Sequence, residues 1–230
     1  MSRRAGGALL LLVLALLATG GTPPASARGG HVEAIVKDQD GKPVVDAVVS
    51  MTPAGGPGSA PPTRPPDAVM DQVNKEFVPL VLPVMVGTAV SFPNRDNIRH
   101  HVYSFSPARK FELPLYIGTP AAPIVFDKPG PVALGCNIHD WMVAYIYVVA
   151  TPHFAKTVAD GKARLEGMPA GTYEARVWHA RLRGATEATT KPITLTEDEE
   201  GRLTFTLSLK KPESRPAPRR EPYEGPQQSG

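Results

Sequence analysis

The chain has 230 residues, 42% of them hydrophobic and 20% charged, with a formal net charge of +3. That balance, which falls to +1 once the two leader arginines described next are removed, is no basic footprint for nucleic acid. A single cysteine rules out an internal disulfide framework and leaves that residue as a buried bystander, an intermolecular bridge or a metal ligand.

The N-terminus reads as a secretory leader over residues 1–27. Arg3 and Arg4 form the charged end, Ala8 to Ala18 an apolar run of 11 residues, and Ala25-Ser26-Ala27 an A-x-A cleavage site. The run is short for a bilayer span, so no membrane span is expected in the mature chain. No cysteine follows the leader, which argues against a lipoprotein anchor. Secretion, to a periplasm, is the expected destination.

The mature chain reads as all-β. Val32, Ala34 and Val36 alternate with polar residues, Asp38-Gln39-Asp40-Gly41 makes a turn, and Val44 to Thr52 runs apolar. Residues 53–66 hold nine Pro or Gly in 14 positions and read as an exposed linker. Short strands follow at Phe77–Met85, Ala89–Phe92, His101–Phe105, Phe111–Leu115, Ile124–Phe126, Val132–Cys136 and Met142–Ala150. Strands of this length between Pro and Gly turns indicate a β-sandwich over residues 70–150. The strand-and-turn pattern resumes after Asp160 and ends on an alternating Leu203, Phe205, Leu207, Leu209. Residues 210–230, rich in Pro, charge and Gln, read as a disordered tail. The arms 31–52 and 158–209 are each too short for a sandwich of their own. One small discontinuous β-sandwich built from both, with the central module inserted in its first loop, is the economical arrangement; two serial domains are the alternative.

The chemistry concentrates in Gly135-Cys136-Asn137-Ile138-His139-Asp140-Trp141-Met142, where thiolate, imidazole and thioether stand at spacing Cys-x2-His-x2-Met. A His-His pair, His100 and His101, lies upstream on a strand. Soft thiolate, two imidazoles and a distant thioether are the donor set of a mononuclear blue-copper centre. Structural zinc does not choose a thioether, and a binuclear copper centre would need a second cysteine.

Asn94-Arg95-Asp96-Asn97-Ile98-Arg99-His100-His101-Val102 resembles the first-histidine segment of the cupredoxins: Asn, five residues, then His-Asn-Val. Phe126-Asp127-Lys128-Pro129-Gly130 resembles the turn that leads those proteins into the cysteine strand, and Cys136 to Met142 has the short ligand-loop spacing of amicyanin. The resemblance covers residues 70–150 and extends to chains described as methylamine-utilisation proteins, whose flanks resemble carboxypeptidase-regulatory-like sandwiches. It implies a cupredoxin Greek-key fold and one type 1 copper held by His100, Cys136, His139 and Met142. His101 is an alternative ligand or a supporting residue, and Asn94 and Asn137 are supporting residues. Strand alternation favours His100 over His101 as the inward ligand. The chain departs from the family at His101, where cupredoxins have Asn: the backbone N–H aimed at the thiolate is kept, but the side-chain tie between loops is not.

The implied function is single-electron carriage between redox partners, such as a periplasmic dehydrogenase or cytochrome, in transient encounters by a monomer. Ile138 and Trp141 flank His139 and form either packing over the site or an apolar docking patch. A copper-handling protein and a non-redox interaction module are the competing classes. No G-x-S-x-G elbow, P-loop or H-E-x-x-H motif calls for catalysis, so no enzyme is expected. His31, His153 and His179 are scattered and read as structural or solvated, with His31 able to bind Cu(II) weakly near the new N-terminus. Glu197-Asp198-Glu199-Glu200 reads as a solvated turn.

Overall fold

The structure is a computed structural model and describes residues 30–56, 65–120, 122–184, 189–197 and 200–212. The leader, most of the linker and residues 213–230 of the tail therefore lie outside the described residues. All the named elements are strands. In chain order they are β1 Gly30–Asp38, β2 Val48–Pro53, β3 Ala68–Val69, β4 Asp71–Val73, β5 Glu76–Val78, β6 Val81–Met85, β7 Thr88–Ser91, β8 His100–Ser104 and β9 Phe111–Tyr116. They continue with β10 Ile124–Phe126, β11 Gly130–Gly135, β12 Val143–Val149, β13 Phe154–Lys156, β14 Lys162–Met168, β15 Gly171–Trp178, β16 Thr190–Leu195 and β17 Glu200–Leu207.

The central strands form a five-stranded sheet in the order β6-β12-β11-β8-β9 and a three-stranded sheet in the order β10-β7-β3. In the larger sheet β6 and β12 run parallel and the other neighbours antiparallel. Val102, Leu134, Ala144 and Ile146 from the first sheet and Val90 and Phe126 from the second enter one buried cluster, which also contains Cys136 and Met142. The result is an all-β sandwich whose core ends at the cysteine loop. The separate hairpin β4–β5 is zipped onto the loop ahead of β8: Gln72 N–H donates to Pro93 O at 3.0 Å and Arg95 N–H to Gln72 O at 2.9 Å.

The arms pair with each other. Sheet β14-β1-β17 and sheet β13-β2-β15-β16 enclose a second cluster around Val32, Ala34, Val36, Met51, Ala175 and Phe205. Strand β1 runs parallel to β17 and antiparallel to β14, so the first and last strands of the described chain are neighbours. A third, smaller cluster of Val48, Val81, Tyr147, Val149 and Trp178 joins the two sets of strands. There Tyr147 and Trp178 stack at 4.5 Å between ring centroids with planes 7° apart. This explains the unbroken apolar run of β12: Ala144, Ile146 and Val148 face the central core while Tyr147 and Val149 face the outer strands.

Several boundaries differ from the sequence expectation. Val44 to Ala47 is not strand, because Asp46 takes a left-handed conformation (φ 62°) and the strand starts at Val48. Pro53 belongs to β2, and Pro65 is buried against Gly87, so the two ends of the linker are not both exposed. Phe154–Lys156 pairs with β2, extending the C-terminal arm upstream of 158. The last strand begins at Glu200, beside His31, so Glu200 is paired rather than in a turn. Lys210 N–H still donates to Arg181 O at 2.8 Å, beyond the expected start of the tail.

Candidate metal centre

Cys136 follows directly on β11, whose pairing with β12 and β8 fixes its position. The residue before it, Gly135, makes room for Tyr103: a Cβ there would meet the Tyr103 ring at 2.7 Å and force the ring to shift. His139 turns back from the loop, its carbonyl accepting the Met142 N–H at 2.9 Å, and Met142 is 1% exposed just before β12. His100 opens β8 and is 0% exposed.

His100, Cys136 and His139 come together, with one donor atom from each lying within 4.8 Å of the others. Cys136 Sγ is 3.7 Å from His139 Nδ1, and the two imidazole rings meet edge-on at 5.0 Å. On the far side of His100, Nε2 donates to Asp96 Oδ2 at 2.7 Å. A carboxylate acceptor there holds a proton on Nε2 and leaves Nδ1 as the ring nitrogen available to a metal. That Nδ1 is buried and has no hydrogen-bond partner. Buried polar atoms are normally satisfied, so an orphan nitrogen facing a thiolate and a second imidazole fits a metal ion at this point.

The electrostatics agree. Burial would raise the Cys136 thiol, but His100 and the backbone N–H groups of His101, Ile138 and His139 outweigh it, and the pKa is lowered towards thiolate. Burial would lower His100, but the Cys136 sulfur and the Asp96 carboxylate outweigh it and raise its pKa. Burial, with the positive charge of His100 and Lys75, pushes His139 down and keeps it neutral. A Cys136 thiolate and a neutral His139 are forms that bind metal, and His100, favoured as the cation in the metal-free chain, would bind by giving up a proton.

The His-His pair separates as alternation requires, although both residues are buried. His101 lies outside the cluster. Its Nε2 bonds Glu112 Oε1 at 2.8 Å, which ties β8 to β9 through side chains as well as backbone. Asn94 does hold the ligand loop: its Nδ2 donates to Ile98 O and to Tyr116 O, each at 2.8 Å, and its Oδ1 accepts the Asp96 N–H at 3.0 Å. Asn137 sits instead on the surface, in a shallow groove with His101, Glu112, Leu115 and Ile138. Ile138 is 50% exposed. Trp141 is half-buried, its ring 5.1 Å from that of His139, with its indole N–H donating to Lys75 O at 3.1 Å.

His31, His153 and His179 take no part. His31 lies 3.6 Å from Glu200, His153 packs edge-on to Tyr173, and His179 is buried with Nδ1 accepting the Arg181 N–H. The residue that sequence reasoning missed is Asp96. Its signal was a carboxylate four residues before His100 in a loop that Asn94 had already marked.

No protein-family model and no curated protein matches the chain. Among solved structures it is similar to a Cu-containing nitrite reductase from Thermus scotoductus SA-01 (28% identity, TM-score 0.35, 41% of this chain covered), of which it spans only 25%. It is also similar to a purple cupredoxin from Nitrosopumilus maritimus (26%, TM-score 0.33, covering 36% of this chain and 100% of that one). A third likeness is to an oxidized methionine-to-leucine mutant of amicyanin (20%, TM-score 0.33, covering 45% and 99%). The strands themselves show a two-sheet β-sandwich in the central module, with its cysteine loop at one end of the core.

Proposed function

We propose that the chain is a periplasmic type 1 copper protein that carries single electrons between redox partners. The observation that carries this reading is the buried, unpartnered Nδ1 of His100 set against the Cys136 thiolate and His139. His100, Cys136 and His139 would hold the copper, with the Met142 thioether, buried in the same cluster, as a further donor. Copper in such a set supplies a one-electron couple. The protein's part is to hold the donors rigid on β8, β11 and the loop before β12, and to keep water from the sulfur, which is 3% exposed at its residue.

The half-buried edge of His139, beside exposed Ile138, is the proposed electron exit, and the apolar surface around it suits a transient partner. The outer strands, which we read as a carboxypeptidase-regulatory-like sandwich, carry no donor cluster among the described residues and act as a mount for the copper module. The visible spectrum of the secreted chain after Cu(II) addition tests the assignment. An intense thiolate-to-copper charge-transfer band is expected. A colourless protein that binds only Cu(I) would instead support copper handling.

A further inference from the structure

We infer that the Asn74–Lys75 turn of the β4–β5 hairpin is a positioning element of the metal centre, fixing His100 through Asp96 and His139 through Trp141 at the same time. The inference rests on the copper reading for its purpose, and on the contacts alone for its existence. The hairpin precedes every ligand, by about 25 residues for His100 and more than 60 for the cysteine loop.

Val73 pairs with Glu76, so Asn74 and Lys75 form a two-residue connection, and both have positive φ, 56° and 60°. This is the hairpin turn that matches strand twist, and its usual second residue is glycine. Here a lysine takes the left-handed conformation. Backbone held in that region persists where its surroundings over-determine it. The surroundings are Asp96, whose Oδ1 accepts the Asn74 N–H at 2.7 Å and whose Oδ2 accepts the Lys75 N–H at 2.8 Å. The same Oδ2 accepts His100 Nε2 at 2.7 Å.

A carbonyl of the same turn faces the other ligand arm. Lys75 O accepts the Trp141 indole N–H at 3.1 Å, and the Trp141 ring lies 5.1 Å from that of His139. Both histidine arms are therefore anchored to the same two-residue turn of a third segment. That segment is itself locked to the His100 loop, by the Gln72 backbone and by Arg95 Nε, which lies 3.1 Å from Asp71 Oδ2. Supports of this kind orient metal-bound imidazoles, and their loss costs about 10–100-fold in metal affinity.

Asn74→Pro removes one of the two N–H groups on Asp96 and forbids the positive φ. Asn74→Gly keeps both. In the metal-free chain, amide hydrogen exchange should show faster opening in Asn74→Pro around His100 and around His139–Met142, with β1 and β15 unchanged. Cu(II) should bind about 10–100-fold more weakly and give a shifted charge-transfer band. Asn74→Gly should behave as the unaltered protein on all three readouts. The inference is overturned if Asn74→Pro loosens only the hairpin, or only one ligand arm, or if Asn74→Gly is as damaging as Asn74→Pro. If Asn74→Pro does not fold, Trp141→Phe, which removes only the indole N–H and part of the ring, decides: faster exchange at Asn74 and Lys75 supports the link, and unchanged exchange there overturns it. If the unaltered chain takes up no copper, the copper reading fails by itself, and exchange in the metal-free chain still decides the positioning role.

Discussion

The central module and the outer strands are built from similar β-sheets, but they treat buried polar groups differently. In the outer strands the buried histidine, His179, accepts the Arg181 N–H and also bonds the Val45 backbone, and Tyr173 donates to Pro169 O at 2.8 Å. In the central module His100 Nδ1, His101 Nδ1 and Gln72 Oε1 are buried without partners. An unmet buried polar group costs about 1–3 kcal/mol, so a fold keeps one where something else gains by it. At His100 the gain is a donor aimed at Cys136 and His139. The outer strands, with these polar groups met, contribute packing.

The sharpest break in that comparison is Cys136→Ser, which should abolish the charge-transfer band completely while the chain stays folded, as near-ultraviolet circular dichroism would show. Trp178→Ala should do the reverse. Removing a stacked ring from the cluster between the two sets of strands should cost about 3–5 kcal/mol, read as a lower denaturation midpoint, with the copper spectrum unchanged. A bleached spectrum in Trp178→Ala would mean that the outer strands shape the site rather than mount it.

Asp96→Asn tests the support behind His100 and should weaken Cu(II) binding about 10–100-fold. It also carries a pH signature in the metal-free chain. Burial would raise the Asp96 pKa, but the bonds from His100, Lys75 and Asn74 outweigh it and hold it below the ordinary 3.8. A carboxylate whose folded pKa is depressed stabilises the fold above its unfolded value, and that contribution is lost as pH falls through the folded value. Acid unfolding of Asp96→Asn should therefore depend less steeply on pH below about 4 than that of the unaltered chain. Equal slopes would remove Asp96 from the account. The smallest effect belongs to Ile138→Glu, which should slow electron exchange with a protein partner and leave both spectrum and stability unchanged. An unaltered exchange rate would move the docking face elsewhere.

Much of this was legible in the sequence, because the relevant signals are local. Cys-x2-His-x2-Met fixes a loop between two strands, and the alternation of β1, β14 and β15 sorts core from surface at a period of two. His100 and His101 were harder, since both are buried and a register shift lies between His100 and Val102 in the β8–β9 pairing. Alternation names the inward residue, but it does not say that the outward one finds Glu112. The short strands β3, β4, β13 and β16 were not legible. Strands of two to six residues take their identity from the partners they add to, and those partners are distant in the chain. Asp96 was hidden for the same reason. Its role depends on the amides of a turn 21 and 22 residues away, which no spacing rule reports.

The most direct measurement of the central claim is a crystal structure of the copper-loaded mature chain with anomalous data collected at the copper edge. The account predicts a single strong anomalous peak within bonding distance of His100 Nδ1, Cys136 Sγ and His139 Nδ1, with His100 Nε2 still on Asp96. Copper found only at a surface histidine such as His31, with His100 Nδ1 still unpartnered, would contradict it.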